Sequence, residues 1–423
     1  MKQQRFRIKT VALVLLAALI VFGIRGLLLV LNDSGKWIYS VLNTRNDAVN
    51  DNVIPGKILG REGDVLASTE NGVRVYTGDP EARLATLHAV GNQSTLIPNS
   101  IENTKAGFLR TCTASLGDRF SKLFTGAKPE GDSLLLTLDT GLGKAVRAAF
   151  NAHDTTRGLS GAAVVLNWRT GKVAALVSLP AVDPASPDSQ DPVMQVREPY
   201  LNRVTEKLYP ADSLALLVVS ASGEGADTAR LLETAGNFGF HALPIMRDLS
   251  PVMSVFLPSQ TDGSGAAVSS VQATPLHAAL IAAAIANNGN MPEPMLIGRI
   301  RSADGADRAV FPPETLITVC APDKLEPLRE LMRNGAHSPG MSDIMHITTL
   351  DPYGIASVSA APREGAVVRY GWFIGYNAQP DLPFALCVLA EGLPESATGE
   401  NSAALIARDI FNYVKYNPAI IGG

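Results

Sequence analysis

Apolar residues gather in two widely separated sets of short runs. GAAVVLNW (161–168) and KVAALVS (172–178) are joined by Arg169-Thr170-Gly171, a spacing that predicts a hairpin. RYGWFIGY (369–376) and PFALCVLAE (383–391) predict a second strand pair, followed by an amphipathic helix over about 402–414. Between the two sets lie alanine-rich helical stretches, clearest in PLHAALIAAAIANNG (275–289), which stops on Asn-Asn-Gly as a helix end should. A strand within 131–139 leads into a helix over Thr140–Ala152, with Leu142, Val146, Ala149 and Phe150 on one face. Strands at both ends with helices between them predict one antiparallel sheet packed between helices, an α+β fold.

Upstream, PGKILGREGDVLAST places two short apolar runs, 57–59 and 65–67, on either side of Arg61-Glu62-Gly63-Asp64, which reads as a hairpin. Val73–Tyr76 reads as a strand and LRTCTASLGDRFSKLF (109–124) as a helix. The expected organisation is therefore a neck and small accessory domain over 32–130 and a main domain over 131–423. Residues 179–199, rich in Pro, Asp and Ser, read as a surface loop.

The first 31 residues form a separate unit. Residues 11–31 are apolar apart from Arg25, long enough for a hydrocarbon core that takes about 20 residues. Lys2, Arg5, Arg7 and Lys9 precede them with no acid, so residues 1–10 are expected on the inner side. A cleaved signal peptide is the competing reading. No small-x-small site follows the apolar stretch, which favours an uncleaved single-pass anchor. Arg25 would either snorkel to headgroups or pair with another membrane protein.

Composition narrows the function. The chain has 423 residues, 46% hydrophobic and 18% charged, which excludes a disordered polar protein and a multi-pass membrane protein. Its net charge of −4 combines a +4 tip with −8 elsewhere, so no basic surface for nucleic acid is expected. The three cysteines, Cys112, Cys320 and Cys387, lack metal-ligand spacing, the six histidines are scattered, and neither metal nor cofactor is expected. Cys387, within PFALCVLA, reads as a small buried hydrophobe.

Several phrases occur in an order that resembles the class B penicillin-binding proteins. They are PGKILGREGDVLAS, HAVGNQS (88–94), LLLTLD, GAAVVLNWRTGKVAALVSLPAVDP, LNRVTEKLYPADS, FGF (238–240), ATPLHAALIAAAIANNG and YGWFIGY, spanning residue 55 to the end. The resemblance implies a membrane-anchored peptidoglycan D,D-transpeptidase fold with three motifs around one cleft. These are a serine with a lysine three residues on, an S-x-N and a K-T-G.

None of the three motifs is intact. The serine motif falls on LNRVTEKLYPADSLAL, where Ser213 takes the nucleophile position but Leu216 the lysine position; an isobutyl group accepts no proton. No S-x-x-K or S-x-N occurs anywhere in the chain. Only 25 positions separate Ser213 from Phe238, too few for the longer helical segment in which the family carries S-x-N. The K-T-G position falls on Ser359, Ala360 and Ala361, followed by Pro362, which lacks an amide donor. Arg363, four positions on, is no equivalent for the lost lysine.

The expected protein is thus a catalytically degenerate homologue, a structural or regulatory subunit of bacterial cell-wall synthesis in the cytoplasmic membrane, its main domain extracytoplasmic. The resemblance implies a polytopic SEDS-type glycosyltransferase and other wall-synthesis proteins as partners. The alternative is a working serine acyl-transferase, a D,D-transpeptidase or carboxypeptidase, in which Ser213 uses an unorthodox base such as Asp212 or His241.

Overall fold

The computed structural model describes residues 15–16, 18–19, 21–23, 53–92, 97–111, 124–185, 198–223, 225–242, 246–258, 270–320, 324–363, 365–395 and 399–422. Most of the expected anchor (11–31), most of the expected 109–124 helix and residues 186–197 of the expected loop lie outside them. Leu15, Leu16, Leu19, Val21 and Phe22 are helical and exposed. Among the described residues no helix is long and apolar enough to cross a membrane.

Among the described residues sixteen strands follow one another. The first four are β1 (Ile58–Leu59), β2 (Val65–Glu70), β3 (Val73–Tyr76) and β4 (Ser133–Leu136). Then come β5 (Ser160–Asn167), β6 (Val173–Leu179), β7 (Tyr209–Pro210), β8 (Val255–Leu257) and β9 (Ser270–Ala273). After the central helix lie β10 (Asn290–Pro292), β11 (Ile297–Arg301), β12 (Asp307–Val310) and β13 (Thr315–Thr318). The last three are β14 (Pro352–Arg363), β15 (Ala366–Asn377) and β16 (Phe384–Glu391).

The main sheet has the order β14-β15-β16-β5-β6, antiparallel throughout. Both expected hairpins thus join into one sheet through the pairing of β16 with β5. Every residue of β16 is buried because helices cover both faces, and alternation divides its side chains between two cores. Ala385, Cys387 and Leu389 face the core that holds the Pro275–Ala286 helix. Phe384, Leu386, Val388 and Ala390 face the helices Thr140–Ala152 and Gly399–Tyr416. Cys387 is fully buried, as its apolar surroundings predict, and burial pushes its thiol up.

The Pro275–Ala286 helix is apolar all round because it is enclosed all round; Pro275 through Ile285 are buried. Thr274 caps its first turn by accepting the His277 N–H at 3.1 Å, and Pro275 occupies the first helical position, where no amide donor is needed. Asn288 and Gly289 then turn left-handed, and a Cβ on Gly289 would collide with the Cys320 carbonyl.

A second sheet, β12-β11-β4-β1-β2-β3, forms a pedestal beside the main one. It contains the expected Arg61–Asp64 hairpin as β1 and β2. It is not built from residues 32–130 alone. β4 pairs in parallel with β1, and β11, from beyond the central helix, pairs with β4, so the pedestal crosses the boundary expected at 130.

Candidate functional site

Residues just ahead of the Asp212–Ser222 helix aim that helix at the edge of the main sheet. Tyr209 and Pro210 pair with β9, and the Ala211 N–H donates to the Val271 carbonyl at 3.0 Å. The Trp372 indole on β15 donates to the Pro210 carbonyl at 2.8 Å, while the buried Tyr209 ring meets Tyr370 and Trp372 edge-on at 5.6 and 6.4 Å. Helix and sheet are thereby locked together at this point.

Ser213 is the second residue of the helix and only 3% exposed. Its Oγ is buried and has no hydrogen-bond partner among the described residues, so neither Asp212 nor His241 hydrogen-bonds to it. His241 instead donates from Nε2 to the Phe256 carbonyl at 2.7 Å. Leu216, at the position of the family's lysine, is 47% exposed, and Val219 one turn on is exposed as well. The helix cap is Ala211, which supplies no side-chain bond, and Asp212 puts a carboxylate in the first turn, where the dipole favours it.

The third motif position comes to the same place. β14 is the free edge of the main sheet, and Ser359 lies opposite Tyr370. The Ser359 hydroxyl, on a buried residue, accepts the Asp212 N–H at 3.1 Å. The first turn of the serine helix and Ser359 are therefore in contact through Asp212. Ala360 is exposed, Ala361 packs on the core, and Pro362 removes one donor from the edge. The Asp212–Ser222 helix is followed by a short turn and the Thr228–Asn237 helix, which runs straight into Phe238.

A charged cluster flanks the pair. Glu391, 6% exposed at the end of β16, accepts from Arg203 Nε at 3.1 Å, Lys207 Nζ at 2.9 Å and Arg363 at 3.0 Å. Glu198 lies 3.3 Å from Lys207, and Arg203 also donates to its carbonyl at 3.0 Å. Burial alone would raise the Glu391 pKa. Hydrogen bonding to Lys207, its charge and that of Arg203 outweigh burial and hold the carboxyl below its usual range. Tyr209 beside it is pushed strongly up, first by burial and then by the Glu391 charge. Arg363 is thus engaged with Glu391 rather than presented at position 359. Sequence reasoning missed this cluster, although a lone Glu closing the run PFALCVLA is a signal that could have shown it.

Among the described residues no group of three His, Cys, Asp or Glu could hold a metal ion. Neither Cys320 nor Cys387 is in a disulfide among the described residues; Cys112 lies outside them.

Residues 225–412 match the family model of the penicillin binding protein transpeptidase domain. The chain is 23% identical over 470 residues to the peptidoglycan D,D-transpeptidase PbpA of Mycolicibacterium smegmatis, covering 90% of this chain and 94% of that one. The PbpA of Mycobacterium tuberculosis is also 23% identical, over 474 residues. Among solved structures, penicillin-binding protein A of M. tuberculosis as its ceftriaxone acyl-enzyme matches with a TM-score of 0.72 at 21% identity, covering 85% of this chain and 98% of that one. The D,D-transpeptidase domain of an Eggerthella lenta peptidoglycan glycosyltransferase matches at 0.67 and 18% identity, covering 86% and 99%. The order of strands and these similarities together give the chain a penicillin-binding-protein transpeptidase fold, with homology to the class B protein PbpA.

Proposed function

We propose that this chain is a catalytically silent class B penicillin-binding protein that acts as a structural or regulatory subunit in bacterial peptidoglycan synthesis. The similarity to the mycobacterial transpeptidases supports the place in wall synthesis. The observation that supports the silence is Ser213, whose buried Oγ has no hydrogen-bond partner among the described residues while Leu216 stands exposed at the lysine position. A serine hydroxyl attacks at neutral pH only when a neighbouring group takes its proton, and none is placed to do so here. Ser359, which replaces the carboxylate-binding lysine, is neutral and already accepts the Asp212 N–H.

The proposal includes an uncleaved anchor over residues 11–31, the N-terminus inside, the folded part extracytoplasmic, and a polytopic SEDS-type glycosyltransferase as partner. The apolar run and the basic tip before it support the anchor. Fluorescent penicillin tests the silence. No covalent label is expected, and a label abolished by Ser213→Ala would overturn the reading in favour of an active acyl-enzyme. Copurification with a polytopic synthase in mild detergent tests the partner, and its absence there argues against a subunit role.

A further inference from the structure

Residues 246–254 lead into β8 without forming helix or strand. Met246, Asp248, Leu249, Pro251 and Ser254 are nevertheless buried, so the backbone of this stretch needs polar partners from outside itself. Residues 97–105, far upstream, supply them. Lys105 Nζ donates to the Arg247 carbonyl at 2.8 Å and Thr104 Oγ1 to the Asp248 carbonyl at 3.1 Å. Asn99 exchanges two bonds with the Ser250 backbone, at 3.1 and 2.8 Å. The pedestal holds the same stretch at β11 and the residues before it. Asp248 Oδ2 accepts the Leu296 and Ile297 N–H groups at 2.7 and 2.9 Å, and Arg247 reaches Glu293 at 2.7 Å and Glu314 at 3.4 Å.

The far end is tied to the seat of the serine helix. The Val252 N–H donates to the carbonyl of Thr205, which lies shortly before Tyr209, at 2.8 Å. The Ser254 hydroxyl accepts the Thr274 N–H at 3.3 Å, and β8 pairs with β9, which pairs with β7, whose Pro210 carbonyl receives the Trp372 indole. One irregular stretch therefore runs from the upstream contacts to the residues that aim Ser213. Its near end is held at a cost, because burial pushes the Asp248 carboxyl up against its two N–H bonds and the charges of Lys105 and Arg247. A stretch that has no ladder of its own and carries a buried carboxylate opens more readily than the sheets it joins.

We infer that residues 246–254 form a strap through which the upstream contacts set the seat of the Asp212–Ser222 helix, so that a partner bound upstream alters the serine site, and the reverse. The strap stands on these contacts; its use by a bound partner rests on the subunit reading. Indole hydrogen exchange of the full chain in mild detergent tests it. Trp372 bonds to Pro210 at the far end, whereas Trp168 donates to the Asn377 carbonyl at 3.2 Å, outside this run of contacts. Asn99→Ala combined with Thr104→Val removes the Asn99 and Thr104 bonds to the strap. Exchange at Trp372 should then quicken about tenfold or more while Trp168 changes less than about twofold, and Thr104→Ser should leave both as they were. Faster exchange at both indoles together means general loosening and overturns the inference. An unchanged Trp372 overturns it as well, and the Val252 amide then shows whether the strap stayed shut or opened without moving the seat. If the double variant does not fold, Thr104→Val alone, which keeps the shape of the side chain, is read in the same way. Copurification with a synthase plays no part in these outcomes, so the strap and the subunit reading fail separately.

Discussion

Glu391 and Ser213 are polar groups of nearly equal burial on the two sides of Tyr209, and they are treated in opposite ways. Glu391 is held by three cations, whereas the Ser213 hydroxyl is held by nothing. The first is what a folded interior requires, since a buried charge without partners is strongly destabilising. The second is tolerable only because a hydroxyl is small and uncharged. The contrast teaches that the polar framework seating the serine helix is fully paired while the Ser213 hydroxyl has no hydrogen-bond partner among the described residues.

The largest blow to that contrast comes from the satisfied side. Glu391→Ala removes the nearer carboxylate of Arg203, buried at 2% exposure, leaving Glu198 at 3.8 Å, and a loss of about 3–5 kcal/mol is expected in urea unfolding. A loss below about 1 kcal/mol would show that the cluster is ornamental. Two buried histidines come next. Burial lowers His88 and His277 from the ordinary 6.5 to about 4. Between those values the unfolded chain takes up protons that the folded chain refuses, so stability is full above about pH 6.5 and falls as pH drops toward 4. Each ring contributes about 3 kcal/mol across that window, and His277→Gln should remove roughly half of the pH dependence measured by thermal unfolding.

Smaller effects sharpen the other side. Ser359→Ala deprives the Asp212 N–H of its acceptor and should cost about 1 kcal/mol, read from the same urea curves. Ser213→Ala removes an unpartnered hydroxyl and should be neutral or stabilising by up to about 1 kcal/mol, opposite in sign to Glu391→Ala. Leu216→Lys, on an exposed helical position, should change stability by less than about 0.5 kcal/mol and should not confer penicillin labelling. Labelling gained by that single change would mean that the rest of the site is competent after all.

The sequence made the main sheet legible because its strands are long and enclosed on both faces. An eight-residue run such as FALCVLAE leaves few alternatives, and the Thr140–Ala152 helix is marked by a cap at Asp139 and a clear apolar face. Strands β8 to β13 are three to five residues shorter than that run, and β11 and β12 carry charges because one face meets water, so their pattern is lost in the surrounding loops. The contact of Asp212 with Ser359 joins residues 147 positions apart and has no local pattern to announce it. The Arg203–Glu391 contact joins positions 188 apart and has no local trace beyond a solitary charge at each end.

The closure of the pedestal also orders events during synthesis. β4 sits between β1 and β11, and β11 is made only after the whole central helix. Until residue 301 has left the ribosome, β4 has an open flank, and a nascent chain carries β1 to β4 as a partial sheet with an edge able to pair wrongly. A fragment ending at residue 130 would lack both β4 and β11 and could not form the sheet at all. The two sheets are therefore expected to be born together, and an assisting chaperone would find its client in the interval between them.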